Sequence, residues 1–130
     1  MEEGKYMAVS CEIPLILGGH SFIEQLGSDQ YASYNEQVDI VNRCLDNGIY
    51  WFDTTYQPER ITLGKILEET GRRQQANIIA WNFFNDFKPG EAVGGPSYYK
   101  SEHLDIILEQ LRSNYVDALV VHPLDNEDEN

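Results

Sequence analysis

Two apolar runs that each lead to a polar residue constrain most strongly what this chain can fold into. Residues 49–52 are apolar and end at Asp53, and residues 116–121, apolar except for Asp117, end at His122. Strands that are apolar throughout are typical of a parallel sheet with both faces covered. In parallel α/β folds the functional groups lie just beyond the carboxyl ends of the strands. We therefore expect Asp53 and His122 to share one site at one edge of a sheet.

The rest of the chain alternates between strand-like and helix-like segments. Short apolar runs predict two further strands, and apolar residues at helical spacing predict three helices between the strands. The predicted strands are residues 13–17, 49–52, 76–81 and 116–121, and the predicted helices are residues 35–47, 59–70 and 101–113, with Ser101 as the cap of the last. This order predicts right-handed parallel strand-helix-strand units.

The predicted fold class is α/β with a parallel sheet, either the first half of a (β/α)8 barrel or an open sheet, and the family resemblance given below favours the barrel. Four strands and three helices make half of such a barrel, and they also fit the core of an open doubly wound sheet. A half barrel leaves the outer edges of its first and last strands unpaired. We therefore expect the 130 residues to form a single domain that associates with a second half of a barrel or with itself.

The strongly acidic composition restricts the partners of the chain. The formal net charge is −13, and Arg72 and Arg73 are the only adjacent pair of basic residues. Such a charge repels nucleic acids and anionic membrane surfaces, so we expect no nucleic-acid or membrane partner. Residues 125–130 are acidic or amide residues throughout, which predicts a solvated, mobile end.

Cysteine content and hydropathy indicate a cytoplasmic protein. Cys11 and Cys44 are too few and too far apart to suggest a disulfide framework or a zinc site. No apolar run approaches the roughly 18 to 20 residues that a membrane-spanning helix needs. Residues 1–5 are too acidic for a secretory signal.

Glycines and a long loop mark two places where a ligand could approach. Gly18 and Gly19 follow the first predicted strand, where the backbone must turn tightly or come close to a ligand. Residues 82–99 form a loop of unusual length with several glycines, prolines and aromatic residues. Loops of this kind are commonly lids or binding loops, although a plain surface insertion fits equally well.

Several short motifs, taken in order over residues 9–122, resemble the amino-terminal half of the aldo-keto reductases. Residues 15–19 resemble the first barrel strand of the family and its glycine turn. Residues 47–54 resemble the segment in which a glycine ends the first helix and the next strand ends on Asp-Thr. The remaining matches are Leu63 with Gly64, residues 114–117 and residues 120–122. The resemblance implies a TIM barrel that reduces a small-molecule carbonyl substrate with hydride from a nicotinamide cofactor, NAD or NADP.

The resemblance also implies roles for individual residues. Asp53 matches the acidic residue that holds a catalytic lysine, and His122 matches the histidine that orients the substrate carbonyl. Tyr56 is the best candidate for the tyrosine that donates a proton to the developing alkoxide, although it lies closer to Asp53 than the family usually has it. Gly18, Gly19 and Asp53 are the predicted cofactor-binding residues.

The chain departs from the family at the catalytic lysine. The family carries it at the end of the third strand, where we expect Asn82 to take its place. An amide cannot supply the positive charge that lowers the pKa of a neighbouring phenol. The predicted function is therefore a reductase-like protein with an incomplete catalytic set.

Two alternatives stay open from the sequence. The first is a protein that keeps the fold for binding or sensing without catalysis. The second is a metal-dependent barrel hydrolase that uses His20, Asp53 and His122, although such enzymes usually take two histidines from the first strand and this chain offers one.

Overall fold

The computed structural model describes residues 14–19, 32–84 and 97–121, and the structural statements below concern these residues. They contain four strands with helices between them. The strands are β1 (Ile16–Gly18), β2 (Trp51–Thr54), β3 (Asn77–Trp81) and β4 (Ala118–Val120). The helices are α1 (Tyr34–Asp46), α2 (Gln57–Thr70) and α3 (Ser101–Leu111), and a short 3-10 turn (Arg73–Gln75) leads into β3.

The four strands form one parallel sheet in the order β1-β2-β3-β4, which confirms the predicted order. In the register of this sheet Asp53 lies between Gly18 of β1 and Ile79 of β3. Trp81 lies beside Val120 of β4. Because all four strands run in the same direction, their carboxyl ends lie along one edge of the sheet.

The two faces of the sheet have different environments. Phe52, Ile78 and Ala80 are buried in the core, together with apolar side chains of α1, α2 and α3. The alternate residues of β2 and β3, among them Asp53 and Trp81, are only partly buried. We call the first face the helix face and the second the open face. In a closed barrel the open face would become the interior.

The three helices lie where they are predicted, and each observed end differs from its predicted residue by two positions or fewer. The predicted helix stops are confirmed at Gly48 and Gly71, which have φ angles of 81° and 70°. The prediction that β2 ends before Asp53 was wrong by two residues, because the ladder with β3 continues through Thr54. The prediction that Ser101 caps α3 was also wrong, since the capping position is Lys100 and has no side-chain hydrogen bond.

The start of α1 has a capping box that the sequence reading missed. The Ser33 hydroxyl accepts a hydrogen bond from the backbone N–H of Glu36 at 3.3 Å, and the Glu36 carboxylate accepts one from the backbone N–H of Ser33 at 2.9 Å. Replacing Ser33 by alanine is expected to lower the free energy of unfolding by about 1 kcal/mol. Urea unfolding at neutral pH measures this loss. Ser101→Ala is the matched control and should cost less, since Ser101 caps no helix; an equal cost in both variants would contradict the assignment.

The same capping box predicts a pH dependence. Its two hydrogen bonds lower the pKa of Glu36 below its ordinary value, the backbone N–H of Ser33 contributing most. A carboxyl group with a lowered pKa in the folded state stabilises the protein above its ordinary pKa and loses that contribution as the pH falls through the lowered value. Glu36→Gln should therefore destabilise the protein at neutral pH and have less effect in acid. Urea unfolding at the two pH values tests this expectation, and a pH-independent loss would contradict it.

Candidate functional site

Asp53 lies on the open face, near the carboxyl edge of the sheet, and its carboxylate has two neutral partners. The indole N–H of Trp81 donates a hydrogen bond to Asp53 Oδ1 at 2.9 Å. The hydroxyl of Thr55 lies 3.5 Å from Asp53 Oδ2. Within the described ranges Asp53 forms no ion pair. Among the residues that the structure describes, the carboxylate is therefore held by hydrogen bonds from neutral groups and has no cationic partner.

Asn82 lies on the other side of the sheet. Its side chain is fully buried. The amide Nδ2 donates to the carbonyl of Ser97 at 2.7 Å, and the amide Oδ1 lies 2.9 Å from Nδ1 of His103. Because Oδ1 can only accept, this contact assigns the proton to Nδ1 of His103. Asn82 therefore contacts His103 on α3 and Ser97, which follows residues 85–96 of the long loop in the sequence. The side chain that reaches Asp53 is that of Trp81.

The difference between Trp81 and Asn82 follows from strand geometry. Successive side chains of a strand point to opposite faces. Ala80 is buried on the helix face, so Trp81 comes to the open face and Asn82 returns to the helix side. Trp81 was not among the site residues predicted from the sequence, and its contact with Asp53 was missed. Because residues 78–81 are apolar throughout, no local signal in the sequence shows which of Trp81 and Asn82 faces Asp53.

Tyr56 follows β2 and precedes the first turn of α2. Its ring is buried and packs edge to face against Phe83, with the ring centroids 4.9 Å apart. Burial raises the pKa of the Tyr56 phenol, and the nearby Glu59 carboxylate raises it further. The phenol is therefore protonated at neutral pH, but its pKa is shifted away from the value that would favour proton transfer.

The two glycines after β1 have different surroundings. Gly18 lies beside Asp53 in the sheet, and a Cβ atom built there would have no heavy atom within 4 Å. A Cβ atom at Gly19 would lie 2.4 Å from Glu59 Oε1 and 2.7 Å from the carbonyl oxygen of Asp53. The close approach at Gly19 is thus to the first turn of α2 and to β2. Of the two glycines, only Gly18 leaves open space beside Asp53.

Glu59 explains how the end of β2 is joined to α2. Its side chain is fully buried, and its carboxylate accepts hydrogen bonds from the backbone N–H groups of Thr55 at 2.9 Å and Tyr56 at 3.3 Å. These N–H groups precede the helix and would otherwise need partners of their own. Glu59 therefore fixes the backbone that leaves the strand bearing Asp53.

Several predicted features lie outside the described residues. They are His20, His122, residues 85–96 of the long loop and the acidic residues 125–130. Among the residues that the structure describes, no group of three or more potential ligands could hold a metal ion. The predicted meeting of Asp53 with His122, and the metal triad with His20, stay predictions. No helix in the described ranges is long and apolar enough to cross a membrane.

Comparison with known structures shows the same fold. The chain matches a protein from Pseudomonas aeruginosa assigned to the aldo-keto reductases, with a TM-score of 0.64 and 21% identity over 87% of this chain and 42% of that one. It also matches the holo form of an aldo-keto reductase from Bacillus halodurans, with a TM-score of 0.62 and 22% identity over 88% of this chain and 37% of that one. This chain therefore spans about two fifths of the length of these structures. A comparison with curated proteins finds no match.

The sequence model of the aldo/keto reductase family matches residues 14–129, which is most of the chain. The parallel sheet and its helices correspond to part of the (β/α)8 barrel of that family. The predicted resemblance and the predicted fold class are both confirmed. The chain belongs to the aldo/keto reductase family.

Proposed function

We propose that this chain forms part of a nicotinamide-dependent carbonyl reductase whose catalytic set is incomplete. The observation that supports the proposal is the 2.9 Å hydrogen bond from the Trp81 indole to Asp53. The family mechanism uses an acidic residue, a lysine, a tyrosine and a histidine, and here the partners of Asp53 within the described ranges are neutral. We propose Trp81, rather than Asn82, as the residue that stands in the place of the lysine.

The open face suits the nicotinamide end of a cofactor. Gly18 has no side chain and leaves space beside Asp53, which is itself only partly buried. When bound, the cofactor would supply hydride to the carbonyl carbon of a small-molecule substrate. Gly18 and Asp53 would border the nicotinamide ring. Gly19 would help to fix this backbone, because it lies close to Glu59 and to the carbonyl of Asp53. These residues do not distinguish NAD from NADP, and we propose that either could bind.

Proton transfer is the step that we propose to be impaired. Tyr56 would have to give its proton to the alkoxide that develops on the substrate. Its pKa is raised by burial and by Glu59, and a raised pKa makes a phenol a weaker acid. A lysine beside Asp53 would oppose this shift, but an indole carries no charge. We therefore propose that a chain with a complete barrel binds a cofactor and a carbonyl compound but turns over slowly.

The 130-residue chain alone is expected neither to bind a nicotinamide cofactor tightly nor to reduce carbonyl compounds at a useful rate. No described lysine or arginine pairs with Asp53, and the matched structures are more than twice as long as this chain. Calorimetric titration with NADH and NADPH measures binding, and the loss of near-ultraviolet absorbance of the reduced cofactor measures turnover. Robust turnover by this chain alone would contradict the proposed role of the indole.

A second candidate function is binding or sensing without catalysis. The raised pKa of Tyr56 favours it, because the phenol then serves as a neutral hydrogen-bond donor to a carbonyl ligand. Cofactor binding without detectable turnover in a complete barrel would support this candidate. Slow turnover that Tyr56→Phe abolishes would support the reductase.

We also propose that a second half of a barrel, or a second copy of this chain, covers the open face. β1 and β4 each pair with one neighbour in the described sheet, and Ile16 on β1 is 50% exposed. Bare edges and exposed apolar groups favour association. Sedimentation of the 130-residue chain at micromolar concentration should therefore show dimers or larger species. A monomer that unfolds cooperatively would contradict this proposal.

We also propose that the protein is cytoplasmic, because Cys11 and Cys44 are too few and too far apart to suggest a disulfide framework.

A further inference from the structure

Arg60, in the first turn of α2, is fully buried and binds the backbone at the carboxyl ends of two strands. Its Nη1 donates to the carbonyl oxygens of Thr55 and Trp81, both at 3.1 Å. Its Nη2 donates to the carbonyl oxygen of Phe83 at 3.3 Å. Its Nε donates to the side-chain oxygen of Gln110, on α3, at 2.7 Å. One guanidinium therefore joins the ends of β2 and β3 to two helices.

This arginine is unusual because its direct hydrogen-bond partners among the described residues are all neutral. Burial of a charged group is costly unless its donors are satisfied, and here uncharged acceptors satisfy them. Burial lowers the pKa of Arg60 to about 10, while the Glu59 carboxylate acts in the opposite direction. At neutral pH the group keeps its charge, and four of its five N–H donors have acceptors among the described residues.

Two of the acceptors of Arg60 belong to Thr55 and Trp81, the two residues that also contact the Asp53 carboxylate. Thr55 follows Asp53 by two residues, and its hydroxyl also approaches the Asp53 carboxylate. Trp81 presents its backbone carbonyl to Arg60 and its indole N–H to Asp53. The position of the indole relative to the carboxylate thus depends on two backbone segments that the same Nη1 atom joins.

We infer that Arg60 is a positioning residue that sets the contact between Trp81 and Asp53 by joining the backbone of Thr55 to that of Trp81. Gln110 takes part by orienting the guanidinium from α3. The geometric inference stands on these contacts alone, and only its consequence for turnover rests on the proposed function.

The test observes the indole N–H of Trp81 by nitrogen-15 NMR of the full chain. Trp51→Phe identifies the resonance, because the chain has two tryptophans. Asp53→Ala provides the reference for an indole that has lost its acceptor. Arg60→Met should move the Trp81 resonance toward this reference and should speed its exchange with solvent. Arg60→Lys should move it less, since an ammonium can still donate but lacks the planar fork.

Arg73→Met is the matched control. Arg73 is a partly buried arginine that, like Arg60, donates to backbone carbonyls. Its acceptors are those of Ala76 at 2.8 Å and Tyr115 at 2.7 Å, which precede β3 and β4. Its loss should reduce stability and leave the Trp81 resonance in place. If Arg60→Met does not fold, Gln110→Leu replaces it and should shift the resonance in the same direction by a smaller amount. An unchanged resonance in the folded variants, or an equal shift in Arg73→Met, would overturn the inference.

Turnover separates the inference from the proposed function. In a complete barrel, Arg60→Lys should lower kcat by about 10- to 100-fold with little change in KM, because misplacing a catalytic group affects mainly the chemical step. A shifted indole resonance with unchanged kcat would show that the placement of Asp53 by this contact does not affect turnover, and it would retain Arg60 as the positioning residue of the contact. An unshifted resonance would refute the positioning role whatever the kcat.

Discussion

Replacing Trp81 by lysine is expected to raise turnover on a simple aldehyde by about 10²- to 10⁴-fold in a protein with a complete barrel, the usual range for positioned acid-base assistance. The Trp81 side chain already reaches the Asp53 carboxylate. An ammonium in the same place would pair with Asp53 and would bring a positive charge to the carboxyl edge of the sheet, where it would oppose the raised pKa of Tyr56. The absorbance of the reduced cofactor follows turnover in the parent and in the variant.

Asn82→Lys is the matched control for this substitution. It places the same charge one residue farther along the chain, where the native side chain is fully buried between Ser97 and His103. We expect it to lower stability without raising turnover. In the Trp81→Lys background, Tyr56→Phe and Asp53→Asn should each remove the gain. A faster Asn82→Lys enzyme, or a Trp81→Lys enzyme no faster than its parent, would contradict the placement of the site.

Gly64→Ala, within α2, is expected to lower the free energy of unfolding, although alanine is normally the better helix former. A Cβ atom there would lie 2.6 Å from the backbone carbon of Leu111 and 2.7 Å from the carbonyl oxygen of Gln110. These are backbone atoms of α3 and its end, so relief requires α2 and α3 to move apart. Overpacking of this kind typically costs about 1 to 3 kcal/mol or more. This cost outweighs the stabilisation of up to about 1 kcal/mol that alanine gives a helix relative to glycine.

Urea unfolding of Gly64→Ala measures this loss, and Gly18→Ala is the control. The control adds the same methyl group where nothing lies within 4 Å. It should leave the free energy of unfolding nearly unchanged. Equal stability of Gly64→Ala and the parent would show that the two helices are not held as closely as described here.

The sequence by itself determined the elements and their order. Val41 and Leu45 of α1 stand at helical spacing and are buried, as are Leu63, Ile66 and Leu67 of α2, whereas Ile61, apolar at the same spacing, is 48% exposed. This succeeds because a helix places residues three and four apart on one face, so the pattern is local. The apolar strands and the glycine stops are local signals too. Asp53 could likewise be identified from its place at the end of an apolar run.

Only the tertiary structure decided which side chain meets Asp53. Trp81 and Asn82 are neighbours in the sequence, but a shift of one residue moves a strand side chain to the other face. Their faces are set by the pairing of β2 with β3, which joins residues far apart in the chain.

The surroundings of Gly19, Gly64 and Arg60 also depended on tertiary contacts. The partners of Arg60 range from five to fifty residues away, from Thr55 to Gln110. The acceptors at the strand ends are backbone carbonyls, which every residue carries and which therefore leave no pattern in the sequence. The close approaches at the two glycines likewise involve Glu59 and the end of α3, and only packing brings these segments together.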